Sequence, residues 1–170
     1  MGGRQVRTGK EFGEIYDHHA VEYIFADGAR MISQCRHIPN TWSPVSEYCQ
    51  GSKGDCDISG AKIDVKGSDS WRYRGKGGNP YQIEHDDLFA SIRAGKPLNE
   101  GEYGAKSSLT AVMGRMATYT GKIITWEEAL NSQVNLMPDS FTWDAKPKSL
   151  PNAEGFYPIA MPGVDVKKYV

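Results

Sequence analysis

The chain has 170 residues, with 20 basic side chains set against 21 acidic ones and a net charge of −1. That balance, with no basic run, excludes the electrostatic footprint of a nucleic-acid binder. No apolar stretch approaches the roughly 18 residues of a membrane-spanning helix, so no membrane role is expected.

Other bulk features narrow the class further. The length fits one domain. Met1-Gly2-Gly3-Arg4 does not open a signal peptide, which as written points to the cytoplasm, while a longer parent chain could be exported. Cys35, Cys49 and Cys56 are odd in number and show no C-x-x-C spacing. They read as reduced structural thiols and not as a disulfide framework.

The first 75 residues carry strand signals. "YDHHAVEYIF" and "ARMISQCRHI" flank Asp27-Gly28, a strong hairpin signal. A two-residue turn there sets Phe25 opposite Arg30, Tyr23 opposite Ile32 and His18 opposite His37. Alternation then places Val21, Tyr23, Phe25 and Ile32 on one face, with His19, Arg30 and Arg36. Ala20, Ile24, Met31 and Cys35 fall on the other with His18 and His37. Apolar residues on both faces imply that both are at least partly covered. Further short strands are expected over Val45–Gln50, Asp55–Ile58, Ala61–Val65 and Trp71–Arg74, separated by glycines.

After Gly77-Gly78-Asn79-Pro80 the apolar period changes from 2 to 3.6. Tyr81, His85, Leu88, Phe89 and Ile92 form one helical stripe, closed by Gly95 and stopped by Pro97. A second helix begins at once, with Asn99 and Glu102 in capping-box spacing. Its stripe is Ala105, Leu109, Val112, Met113 and Met116, and Gly121 ends it. Thr125 and Glu128 repeat the capping pattern before a short helix, "WEEALNS". Five prolines then fall between Pro138 and Pro162 without periodicity, which reads as an extended tail held on the surface by Phe141, Trp143, Phe156 and Tyr157.

Few residues suggest chemistry. His85 beside Asp86 and Asp87 resembles an acid–base group, but it shares its stripe with Leu88, Phe89 and Ile92. A half-buried helical histidine, with acids complementing the helix dipole, accounts for the segment without catalysis. His18 and His19 are strand neighbours and point to opposite faces. A His18/Cys35/His37 zinc cluster is conceivable, but metal ligation wants three or four ligands at defined spacing and Cys49 or Cys56 would have to arrive from strands the sequence does not place, so no metal is expected. "GKGGNP" at Gly75–Pro80 fits neither a dinucleotide fingerprint nor a P-loop. No serine-nucleophile elbow occurs. Trp42, Trp71 and Tyr73 could stack on a sugar, although strand aromatics ordinarily serve packing.

Three stretches together resemble the C-terminal domain of the Gfo/Idh/MocA oxidoreductases: "DHHAVEYIFADGARMISQCRHIP", "GSKGDCDISGAKI" and "NPYQIEHDDLFASIRAGKPLNEGEYGAKSSLTAVMGRMATYTGKIITWEEAL". The most specific part is the last, with its helix ending Ser-Ile-Arg-Ala-Gly-Lys-Pro, its Asn-Glu cap and its following "TWEEAL". The resemblance implies an α+β fold: an open, mainly antiparallel sheet over residues 1–137 with helices on one face, then an extended proline-containing tail over 138–170 packed on the domain. It implies an NAD(P)-dependent parent enzyme acting on a sugar, polyol or similar carbohydrate-like substrate, with the open sheet face making a homo-oligomer. In that family the nicotinamide cofactor and catalytic lysine belong to an N-terminal Rossmann domain with a glycine fingerprint and a Glu-Lys-Pro motif. This chain has neither motif, and Lys96-Pro97 is a helix stop. No catalytic or cofactor-binding residue is therefore carried over, and no cofactor is expected in the chain itself. Arg36, His37 and Trp42, where the hairpin strand runs into a loop, are the candidate substrate contacts. The alternative is a stand-alone scaffold or sugar-binding module that self-associates through its sheet.

Overall fold

A computed structural model describes residues 1–164 together with Lys168 and Tyr169. The fold is α+β. Its strands are β1 (Gly2–Gly3), β2 (His18–Ile24), β3 (Arg30–Arg36), β4 (Tyr48–Gly51), β5 (Gly54–Asp57), β6 (Lys62–Val65) and β7 (Trp71–Arg72). The helices are α1 (Pro80–Ala94), α2 (Gly101–Thr120) and α3 (Trp126–Leu130). The chain divides into two compact units, Met1–Thr41 with Gly101–Val170, and Trp42–Glu100. The strands form two antiparallel sheets, β1-β2-β3 in the first unit and β4-β5-β6-β7 in the second, where the sequence suggests one. Short turns make each later strand pair with its immediate neighbour, so β4–β7 close a local meander.

The β2–β3 hairpin forms as expected but in a register one residue away. Tyr23 pairs with Met31, Ile24 with Arg30 and His18 with Arg36. The cause lies in the turn. Gly28 N–H donates to the Phe25 carbonyl at 2.9 Å, and Phe25 N–H donates to Ala29 at 2.9 Å. The loop therefore holds three residues, Ala26, Asp27 and Gly28, with Gly28 left-handed at φ 87°. Asp27 Oδ1 accepts the Ala29 N–H at 2.9 Å and locks the bend.

A one-residue slip changes which residues share a face. His19, Val21 and Tyr23 lie with Met31, Ser33 and Cys35, on the face whose β2 half α2 covers, while the three β3 residues stay exposed. Tyr23 Oη donates to the Thr110 carbonyl of α2 at 3.1 Å, and His19 meets Thr118. His18, Ala20, Glu22 and Ile24 face outward with Arg30, Ile32, Gln34 and Arg36. Ile24 is 65% exposed and Ile32 71%, so this face is uncovered within the unit, contrary to the expectation that both are covered.

The core of the first unit sits at the C-terminal end of α2. Gly114, Met116, Thr118, Tyr119 and Thr120 are buried, whereas Ala105 and Val112 of the expected stripe are exposed. Tyr119 stacks on Tyr16 with ring centroids 4.2 Å apart and tilts against Tyr169 at 5.1 Å. The Arg115 guanidinium lies 4.3 Å over the Tyr119 ring, a cation–π contact that closes the cluster. The segment after Pro138 contributes here too: Tyr16 Oη donates to the Ala160 carbonyl at 2.8 Å, and Gly163 N–H to Thr120 at 2.8 Å. Phe141, Trp143 and Phe156, expected with Tyr157 to hold this segment, are exposed, and Tyr157 is half-buried. Ala160 and Tyr169 are its buried contacts. α3 carries the expected capping box, with Thr125 Oγ1 accepting from Glu128 N–H and Glu128 Oε2 accepting from Thr125 N–H.

In the second unit α1 starts and stops as the sequence dictates. Asn79 Oδ1 accepts the Tyr81 N–H at 3.0 Å, Pro80 occupies the first turn, and Gly95 adopts the left-handed cap. No residue of α1 is buried, however. His85, expected to be half-buried, is exposed, and its Nδ1–H donates to the Tyr81 carbonyl one turn back at 2.7 Å.

Candidate functional site

The most ordered polar arrangement surrounds the start of β2. Asp17 is 2% exposed. Its Oδ2 accepts three consecutive backbone N–H groups, from Gln5, Val6 and Arg7, at 2.7–2.9 Å. Successive N–H groups curled round one anion form a nest, and here the anion is the protein's own carboxylate. Burial pushes the Asp17 carboxyl up. The three backbone donors and His18 outweigh it, holding the group well below the usual carboxylate range. Oδ1 lies 2.8 Å from His18 Nδ1.

These bonds fix two tautomers. An ionised carboxylate only accepts, so His18 Nδ1 carries the proton and Nε2 is left as the basic nitrogen. His19 Nδ1 lies 2.9 Å from Thr118 Oγ1, and that hydroxyl donates its single proton to the Arg115 carbonyl at 3.0 Å. Thr118 must therefore accept from His19, which again leaves Nε2 as the acceptor. Burial lowers the His19 pKa, with the charges of His18, Arg115 and the N-terminus adding to it and Asp17 opposing. His19 is neutral at pH 7. The adjacent imidazoles thus present basic Nε2 atoms to opposite faces of the sheet.

Beside His19, at the end of the β2–β3 ladder, a depression of about 230 Å³ is lined by Tyr16, Asp17, His19, Cys35, Arg36 and His37. It gathers two of the three candidate contacts. Arg36 Nε donates to Thr41 Oγ1 at 3.2 Å. His37 is anchored by its backbone: its N–H donates to the Asp17 carbonyl at 2.7 Å and its carbonyl accepts from Arg7 Nε at 2.8 Å. Trp42 belongs to the second unit and is 79% exposed. His19, which strand alternation alone did not single out, joins the depression because the register turns it towards Cys35.

The same register separates His18 from Cys35, since His18 stands opposite Arg36. Among the described residues no group of three or more His, Cys, Asp or Glu side chains is placed to hold a metal. No helix among them is long and apolar enough to cross a membrane. Chemically the depression offers the imidazoles of His19 and His37, which suit hydrogen bonding to hydroxyl or carbonyl oxygens, while Arg36 borders it from a strand position that alternates outward. Compared with known proteins, the chain matches no family model, no curated protein and no solved structure.

Proposed function

We propose that this chain is the substrate-side and oligomerisation half of an NAD(P)-dependent oxidoreductase of the Gfo/Idh/MocA type, acting on a carbohydrate-like substrate. Hydride would pass between that substrate and a nicotinamide held on a dinucleotide-binding domain, which these 170 residues do not contain. The chain would position the substrate, with Arg36, His37 and the neutral His19 hydrogen-bonding its oxygens. Proton transfer would fall to the other domain.

The resemblance of the three quoted stretches suggests the reading, and one structural observation supports it: the apolar surface is unfinished. The chain exposes 13764 Å², where two globular units of these sizes would expose roughly 10,000 Å². Among the exposed side chains are grouped apolar ones, such as Ile24 and Ile32, and grouped exposed apolar residues mark surfaces that bind a partner. The outward face of β2–β3, with Ile24 and Ile32, is the part a second copy would cover, and a stable interface needs about 1,200–2,000 Å² in all. The same exposed face favours a second reading, a non-catalytic scaffold that self-associates.

The substrate contacts are tested in the enzyme that joins this half to its cofactor domain. Arg36→Ala and His37→Ala should each lower kcat/KM about tenfold, the equivalent of losing roughly 1.4 kcal/mol of transition-state binding. An unchanged kcat/KM in both variants would remove them from the site.

A further inference from the structure

The second unit contains a pair of thiols that the sequence spacing conceals. Cys49 on β4 and Cys56 on β5 are direct cross-strand partners, and both are free. Ile58 N–H donates to the Glu47 carbonyl at 3.0 Å, so Glu47 and Ile58 form a hydrogen-bonded pair. Bonded pairs recur every second residue along an antiparallel ladder, which makes Cys49 and Cys56 a bonded pair too. Such pairs hold their Cα atoms about 5.5 Å apart with both side chains on one face, inside the roughly 4.4–6.8 Å that a disulfide spans, and closing the bond draws the two Cβ atoms in to about 3.8 Å.

Cys49 is exposed and Cys56 partly so, which lets a small reagent reach the pair. The strands on which they sit are held at close quarters. A side chain at Gly54 would lie 2.1 Å from the Asp64 carbonyl oxygen, so glycine is required for β5 to approach β6. Continuing the ladder, Cys56 faces Ile63 and Ile63 faces Trp71, so the two thiols begin a row crossing all four strands. Cys35 belongs to the first unit.

We infer that Cys49 and Cys56 form a dithiol site that closes reversibly into an intramolecular disulfide, with a low-molecular-weight disulfide as the oxidant. The exposed Cys49 thiolate attacks one sulfur of R–S–S–R and displaces one R–S⁻. The Cys56 thiolate then attacks Cys49 Sγ and displaces the second. One small disulfide is reduced to two thiols, which take up the two protons that the cysteines lose. The protein pair is oxidised by two electrons. Neither step depends on the oxidoreductase reading.

The test uses the reduced protein and oxidised glutathione as the probe, followed by alkylation and peptide mass mapping. Lys53 lies between the two cysteines, so trypsin separates them onto residues 37–53 and 54–62, with Cys35 on residues 31–36. The expected result is loss of two thiols per chain and a disulfide-linked 37–53/54–62 peptide that dithiothreitol releases. Amide exchange across residues 48–57 should slow on oxidation and recover on reduction. Cys35→Ser should behave as the wild type, whereas Cys56→Ser should stop at a glutathione adduct on Cys49. Three alkylatable thiols after treatment, a persistent glutathione adduct on the unaltered pair, or a link through Cys35 would each overturn the proposal.

Discussion

Asp17 shows how far one residue can organise its surroundings and why it was not singled out in the sequence. Its acceptors are used by residues 5–7, ten to twelve positions earlier, and no local pattern announces a nest filled from so far away. His18 and His19 were legible as opposite-facing strand neighbours, but their tautomers follow from Asp17 and Thr118 and needed the fold. Both groups make stability depend on pH in the same direction. The Asp17 pKa is lowered on folding, so its contribution is complete above the ordinary 3.8 and is lost as pH falls through the folded value. The His19 pKa is also lowered, so its contribution is complete above 6.5 and fades as pH falls below that. Urea unfolding followed against pH should therefore show stability falling first below 6.5 and again below about 4. Asp17→Asn should cost about 1.5–3 kcal/mol at neutral pH and shrink the lower step, leaving the smaller shares of Asp64, Glu128 and Asp144. A variant as stable as the wild type, with both steps intact, would mean that the nest contributes nothing.

At the level of elements, the sequence was informative where local chemistry decides and silent where distant packing does. Both ends of α1, the capping box of α3 and the strands β4–β7 follow from caps, prolines and glycines that act over three or four residues. The β2–β3 register did not, because Asp27-Gly28 serves a two-residue turn or a three-residue one, and only the Phe25–Ala29 pairing separates them. The cysteine pair was hidden in a related way. Gly51 and Gly54 bracket a two-residue turn, and counting outward from it brings Cys49 to Cys56, although their spacing matches no cysteine motif. The buried end of α2 was likewise misjudged. Its stripe was read from leucine, valine and methionine, while the fold buries Tyr119 and Thr120 under Tyr16, Ala160 and Tyr169 from remote parts of the chain. The three-residue loop makes a sharp claim about Gly28. Gly28→Ala should destabilise the hairpin unit by about 1–2 kcal/mol, the cost of a left-handed L-residue, read as a shift in the urea midpoint. No shift would mean that position 28 does not hold the left-handed conformation on which the loop depends.

For the whole molecule, both the α+β class and the antiparallel pairing were visible in the change of period near residue 80. The division into two units was not, since it joins Met1–Thr41 to residues beyond 100 through contacts no periodicity encodes. Incompleteness is the theme common to both units. α1 buries nothing, β2–β3 leaves isoleucines outward, and the total exposed area exceeds that of globular units of this size. Under the proposed function, these exposed residues are where a second copy and the cofactor domain would meet the chain. The most direct measurement is the coding sequence immediately upstream of Met1 in the source genome. The account predicts an open frame encoding a strand followed by G-x-G-x-x-G and, further on, Glu-Lys-Pro. A stop codon close upstream, with no dinucleotide-binding domain encoded in frame, would contradict it and leave the self-associating scaffold in its place.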